Sequence, residues 1–159
     1  MNLACQREHH RIMLSHSPFR LRTATIGDID VTFKWQIHPL VRYHSRNSTP
    51  PSASDHEKWF RHALKNEHCE IWIFESEGKP LGQLRVDKGD KNEVSILISP
   101  EFMGAGYGDI ALQLLCNHYN EIDLWAYVKH ENIASINLFT NNQFKHQHGN
   151  WYLLRSTKR

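Results

Sequence analysis

The sequence has no paired cysteines at short spacing, no long apolar run and no marked excess of charge, and each absence removes a class of function. Its three cysteines, Cys5, Cys69 and Cys116, are an odd number far apart in 159 residues, a spacing that makes neither a zinc ribbon nor a dithiol redox centre. They read as ordinary thiols of a reducing compartment, and the cytoplasm is the expected location. Twelve histidines are present, but without H-E-x-x-H or another spacing that fixes ligand geometry, so no metal site is read from them. A formal net charge of +2 is too small to make nucleic acid the main partner, while a small phosphorylated ligand stays compatible. Met1 to Pro18 holds no apolar stretch long enough for a leader or a membrane span, and is expected to be a poorly ordered N-terminal extension. Residues 19–159 then have the length of a single domain with one core.

What is present is a regular alternation of element signals. Phe19, Leu21 and Thr23 alternate as a first strand, closed by Gly27-Asp28. Ile29, Phe33 and Ile37 recur at helical spacing, with the helix ending near His38 because Pro39 follows. Ser45 to Ser54 is dense in turn formers and reads as a loop. Ser54-Asp55-His56-Glu57 forms a capping box that starts a helix carrying Trp59, Phe60, Ala63 and Leu64 inward. Glu70–Glu75 and Leu81–Val86 are joined by the Glu77-Gly78-Lys79-Pro80 turn as a hairpin. Val94, Ile96 and Ile98 give the next strand, Ile110, Ala111, Leu114 and Leu115 a helical stripe, and Leu124–Val128 another strand. Asn132 caps a helix that leaves through a left-handed Asn141-Asn142 exit, and Trp151–Leu154 is the last clear strand. This order predicts an α/β (α+β) fold, with a mixed central sheet of six to seven strands and helices on both faces.

The chemistry-bearing segment is Ile96-Leu97-Ile98-Ser99-Pro100-Glu101-Phe102-Met103-Gly104-Ala105-Gly106-Tyr107-Gly108. It sets three glycines between a strand end and a helix start. Such a turn exposes backbone N–H groups beside the positive end of a helix dipole, which makes an anion site. Each amide-to-phosphate bond contributes about 1.5–3 kcal/mol, so several hold a pyrophosphate without a basic patch. No G-K-[ST] follows, which excludes a P-loop, and the turn comes too late in the strand order for a dinucleotide fingerprint.

The run Met103-Gly104-Ala105-Gly106-Tyr107-Gly108 resembles the acetyl-CoA signature of the GNAT N-acetyltransferase superfamily. Asn132, Ser135, Phe139 and Phe144 resemble its second CoA motif. The resemblance implies the GNAT fold, in which the strand at Glu93–Ser99 splays from that at Asp123–Val128 to admit a pantetheine arm. It also implies acetyl-CoA as cofactor, with Leu97 and Ile98 offering backbone groups and Asn132 a side-chain amide. The chain departs from the family at Met103, where Arg or Gln is usual, and at Phe139, where many members carry the Tyr that protonates the leaving thiolate. It departs again at Gln143, where Gly is usual and Asn142 is expected to supply the left-handed residue instead.

Direct attack of an amine on the thioester needs a base and a proton donor. The candidates for the base are Glu93, Ser95 through a water, and His130; for the missing acid, Tyr127 or a water. Glu93 reads equally as a solvated strand-end carboxylate, and His130 as a surface histidine. The segments around Trp35, His38, Pro39, Val41 and Arg42 and around His56, Trp59 and Phe60 look similar to the branch acting on nucleotide-linked amino sugars in pseudaminic-acid-type biosynthesis. Tyr43, His44, Arg46 and Asn47 make a polar, aromatic loop suited to a ring, hydroxyls and phosphate. The expected partner is a small-molecule amine, a UDP-4-amino-4,6-dideoxy sugar; a peptide acceptor and a non-catalytic CoA-binding module are the alternatives. A homodimer is left open.

Overall fold

The computed structural model describes residues 18–158. Of the expected N-terminal extension, residues 1–17 and with them Cys5 lie outside this range. Among the described residues seven strands form one sheet in the order β1-β2-β3-β4-β5-β7-β6. β1 (Phe19–Thr23), β2 (Cys69–Ser76), β3 (Lys79–Asp87) and β4 (Asn92–Ile98) are successive antiparallel neighbours. β5 (Leu124–Tyr127) lies parallel to β4, and β7 (Trp151–Leu154) and β6 (Lys145–His148) complete the sheet antiparallel to their neighbours. The helices are α1 (Ile29–Gln36), α2 (Pro39–His44), α3 (Ala53–Ala63), α4 (Tyr107–His118) and α5 (Ile133–Asn141).

Strand alternation divides the side chains between two faces. Trp72, Phe74, Leu84, Val86, Val94, Leu124 and Ala126 turn toward Ala111, Leu112 and Leu115 of α4 and Phe139 of α5, forming the larger core. The three α4 side chains have no exposed surface, and burying each leucine stabilises the fold by about 1.5–3 kcal/mol. On the other face Ile71 meets Phe60 and Ala63 of α3, with Ile29 and Trp59 partly buried around them. β6 reads Lys-His-Gln-His with all four residues exposed and a register shift between His146 and His148.

Five local expectations are corrected or extended. The helix from Ile29 ends before Pro39, as expected, at Gln36, but Pro39 is also the first residue of a further helix, α2, where its missing N–H is no loss. Tyr43 and His44 therefore belong to the last turn of α2, and only Arg46 and Asn47 lie in the loop. Ser52, not Ser54, caps α3, its hydroxyl accepting from the Asp55 amide at 3.1 Å. The β2–β3 hairpin turns on Glu77 and Gly78 alone, both at positive φ (49° and 77°), while Lys79 and Pro80 are already in β3. Gln143 itself adopts the left-handed conformation, φ 70°, and Asn142 does not, φ −93°. A side chain there carries a strain of about 1–2 kcal/mol that glycine avoids.

Candidate active site

Two structural devices meet at the carboxyl end of β4. The first is the divergence of β4 from β5. Their parallel pairing is confined to Asn92↔Leu124 and Glu93↔Trp125, and the side chain of Asn92 ties the start by donating to the Asp123 carbonyl at 3.1 Å. From Val94 onward β4 keeps its hydrogen-bonding register with β3 alone, so the edge carrying Leu97 and Ile98 faces a gap.

The second device is the loop that follows. Gly104 and Gly106 have φ of 78° and 81°, and a Cβ built on either meets nothing within 4 Å, so the backbone is bare on its outer side. Gly106 is the N-cap of α4 and supplies no side-chain cap, which leaves the first amides of the helix for an external acceptor. Met103 is 42% exposed beside them. Tyr107 anchors the helix start by packing its ring on Phe19 at 5.3 Å and Phe102 at 5.9 Å. Gly108 lets α4 pack closely on α5: a Cβ there would lie 3.4 Å from both Leu138 methyls. Asn132 is buried and caps α5, its Oδ1 accepting from the Ser135 amide at 3.1 Å, which leaves its NH₂ to donate to another partner. Phe139 is 4% exposed and packs on Phe144 with ring centroids 5.0 Å apart; it carries no proton to give.

On the opposite face of the sheet the side chains of β4 and β5 alternate so that Glu93, Ser95 and Leu97 lie away from the larger core, with Trp125 and Tyr127 beside them. Here the structure joins residues distant in sequence. Arg46 Nη2 donates to Glu93 Oε1 at 2.5 Å, and its guanidinium lies 4.0 Å from the centroid of the Tyr127 ring and 5.7 Å from that of Trp151. Asn150 Nδ2 donates to the Tyr127 hydroxyl at 2.8 Å. Lys91 Nζ lies 5.2 Å from the Trp125 centroid and 5.4 Å from that of Trp151. Three of the expected residues, Arg46, Glu93 and Tyr127, thus converge. His130 does not join them through any of these contacts and is exposed in the turn before α5. Tyr43, 66% exposed, packs edge-on against His44 at 4.9 Å. Asn47 accepts from Arg42 through its carbonyl at 3.0 Å, which shapes the loop.

Sequence reasoning missed Trp125, Lys91, Asn150 and Trp151, which lie before or at strand ends and carry no motif. Burial pushes the thiol of Cys116 up to about 12, and burial with the nearby Asp87 carboxylate pushes that of Cys69 to about 11. Neither is a thiolate at neutral pH, which argues against either as an acyl-accepting nucleophile. Among the described residues three buried polar side-chain atoms lack a partner, Arg42 Nε, Gln83 Oε1 and Asn150 Oδ1. Gln83 stands opposite Leu97 in the β3–β4 ladder, on the face of Glu93 and Ser95.

The family profile described as "Acetyltransferase (GNAT) domain" matches residues 19–145. The chain belongs to the GNAT acetyltransferase family. It is an acetyl-CoA-dependent N-acetyltransferase of the GNAT type. The bare Gly104–Gly106 backbone, the uncapped start of α4 and the β4–β5 gap fit that donor, the first two at its pyrophosphate and the gap at its pantetheine arm. No protein of curated function matches the sequence. Among solved structures the fold is similar to spermidine N-acetyltransferase from Vibrio cholerae in complex with CoA and spermine, with TM-score 0.79, 14% identity, and 90% of this chain and 98% of that one covered. It is also similar to the aminoglycoside acetyltransferase AAC(6')-Ib in complex with coenzyme A, with TM-score 0.74, 15% identity, and 86% and 94% covered. A third is RimL, a ribosomal-protein alpha-N-acetyltransferase in complex with coenzyme A, with TM-score 0.75, 13% identity, and 89% and 96% covered.

Proposed function

We propose that the acceptor is a primary amine on a nucleotide-linked 4-amino-4,6-dideoxy sugar, acetylated where β4 and β5 part. The observation that carries this reading is the convergence of Arg46, Glu93 and Tyr127 at the mouth of the gap, one cation in contact with both a carboxylate and a phenol ring. Glu93, 21% exposed at its side chain, takes the proton of the amine. Tyr127 accepts a hydrogen bond from Asn150 and so keeps its own proton free to donate, the role for which Phe139 has no hydroxyl. Ser95, two residues along the same strand face, is placed to hold a water between amine and carboxylate. Bound acetyl-CoA supplies the activated acyl group. Met103, Ala105, Tyr107, Gly108 and Ser135 line the donor side around the backbone nest, with Leu97, Ile98 and Asn132 along the pantetheine path.

An amine on a deoxysugar ring is less basic than a lysine amine because nearby oxygens withdraw charge, so a single carboxylate suffices to deprotonate it. Tyr43, His44 and Asn47 stand beside Arg46 for the nucleotide. A polyamine-like acceptor is the second reading, favoured by the aromatic faces of Trp125, Tyr127 and Trp151, which hold two of the chain's own cations. Release of free thiol from acetyl-CoA, measured against a UDP-linked 4-amino sugar, spermidine, an aminoglycoside and a peptide N-terminus, tests both. Turnover is expected with the nucleotide sugar; turnover confined to peptide or polyamine would overturn the acceptor assignment.

A further inference from the structure

The mouth of the gap holds an ion pair between unequal partners. Glu93 is mostly enclosed, with 21% of its side chain exposed, whereas Arg46 is 55% exposed and comes from a loop. The carboxylate is fixed by strand pairing, Glu93 standing between Asp87 of β3 and Trp125 of β5. The guanidinium is held by that carboxylate and by the Tyr127 face. An amine that is to reach Glu93 therefore meets Arg46 already seated on it.

We propose that the Arg46–Glu93 pair is a selectivity element, opened by exchange with an acceptor that carries both an amine and an anionic group. The proposal rests on the reading of this mouth as the N-acetyl transfer site. A lone ammonium that takes Glu93 expels Arg46 without a partner. A polycation does worse, since Lys91, like Arg46, lies against the Trp151 ring and, among the described residues, joins no ion pair. Arg46 and Lys91 against the single carboxylate of Glu93 leave the mouth with an excess positive charge; the nearby Asp87 carboxylate is engaged by Arg85 at 2.7 Å. An acceptor with an anion set one sugar ring away from its amine replaces both halves of the pair at once. Its ammonium takes the place of the guanidinium on Glu93, and its phosphate takes the place of Glu93 on Arg46, with Lys91 as a second cation. The exchange leaves neither Arg46 nor Glu93 without a partner, and the carboxylate is released to accept the proton only when such a molecule is present. Selectivity of this kind lies in the cost imposed on the wrong acceptor as much as in contacts with the right one.

The test compares kcat/KM for one amino sugar in two forms, the 4-amino-4,6-dideoxy sugar linked to UDP and its methyl glycoside, with spermidine as a third acceptor. The native chain is expected to favour the UDP form over the methyl glycoside by about tenfold or more, and Arg46→Met to bring the two within about threefold by lowering the first and raising the second. Arg46→Lys should restore most of the preference, and Lys91→Met should lower it in part, while calorimetric CoA affinity stays unchanged in all three variants. Equal use of the two forms by the native chain, equal loss on both in Arg46→Met, or a preference for spermidine would overturn the proposal while leaving amine acetylation intact. Absence of thiol release with every amine, in protein that still binds CoA, would overturn the transfer reading itself and the exchange with it.

Discussion

The two faces of the sheet hold their halves of the site by different means. On the donor face a continuous core from Phe74 to Leu112, Leu115 and Phe139 fixes α4 and α5, and the proposed cofactor site is made of main chain: two left-handed glycines and an uncapped helix start. On the acceptor face the buried cluster is small, Phe60, Ala63 and Ile71, and the proposed site is made of side chains, Arg46, Glu93, Tyr127 and Asn150. Arg42 Nε of α2, Gln83 Oε1 and Asn150 Oδ1, the three orphaned buried polar atoms among the described residues, belong to this second face or its rim, where a ligand can satisfy them. A site made of backbone changes only when the fold changes. A site made of side chains is retuned by one substitution, so the family can share a donor site while acceptors diverge.

The sharpest way to break this contrast is Gly106→Glu. It places a carboxylate in the nest at a φ of 81° and removes at least two amide–phosphate bonds, a loss of about 3–6 kcal/mol in CoA binding. The open space around the position predicts a folded protein. Unchanged calorimetric affinity for CoA in that variant would place the pyrophosphate elsewhere. Next comes Phe60→Ala, which empties the centre of the acceptor-face cluster and should lower unfolding free energy by about 3–5 kcal/mol in urea titration. If the faces are as distinct as described, the folded fraction keeps its CoA affinity and loses acceptor turnover; a parallel loss of CoA binding would show the two halves to be one unit.

The smallest effect is a pH dependence confined to the acceptor face. His56 is 3% exposed, close to Thr32 Oγ1 at 3.1 Å and ringed by Phe33, Trp59 and Phe60. Burial holds its pKa below the ordinary histidine range, against a weaker opposing hydrogen bond to the Ile29 backbone. The folded state therefore binds the proton less readily than the unfolded chain. The stabilisation is full above the unfolded value of about 6.5 and is lost as pH falls through the lower folded value. Asp28 and Glu75 are also depressed: burial raises each, but pairing with Arg22 outweighs it. Their contribution is lost only below the unfolded carboxylate values of about 3.9 and 4.3. Between these windows, hydrogen exchange should quicken in α1 and α3 and stay slow in α4. Equal acceleration in all three helices would refute the assignment to His56.

Much of the donor half was legible because its signals are local. Three glycines, a strand end and a 3.6-residue stripe occupy one short stretch, and the backbone there does what those residues permit. Errors and omissions arose where one residue type serves two positions. The first helix does end before Pro39, but the same proline also starts the next helix, since the missing N–H that breaks an interior costs nothing in the first turn. Ser52 and Ser54 each stand three residues before an acidic side chain, and spacing does not choose between them. β6 was only half anticipated because Lys-His-Gln-His has no apolar alternation to report a buried face. In the acceptor half, Arg46, Glu93 and Tyr127 were each singled out, but for separate reasons. Their meeting depends on the β4–β5 register and on α2, which was not foreseen, and no spacing along the chain records it.

The dull appearance of β6 has its own consequence, for the behaviour of the protein at high concentration. A sheet ends in a row of unpaired amides and carbonyls that invites a second sheet to dock, and a long flat edge is a route to fibrous aggregates. Here the terminal strand is four residues long, fully exposed, interrupted at Gln147, and carries a lysine and two histidines. Its shortness and irregular register deny an incoming strand a template, and its lysine adds charge repulsion. The same residues that hid the strand from sequence reading thus keep further strands from adding at this edge of the sheet.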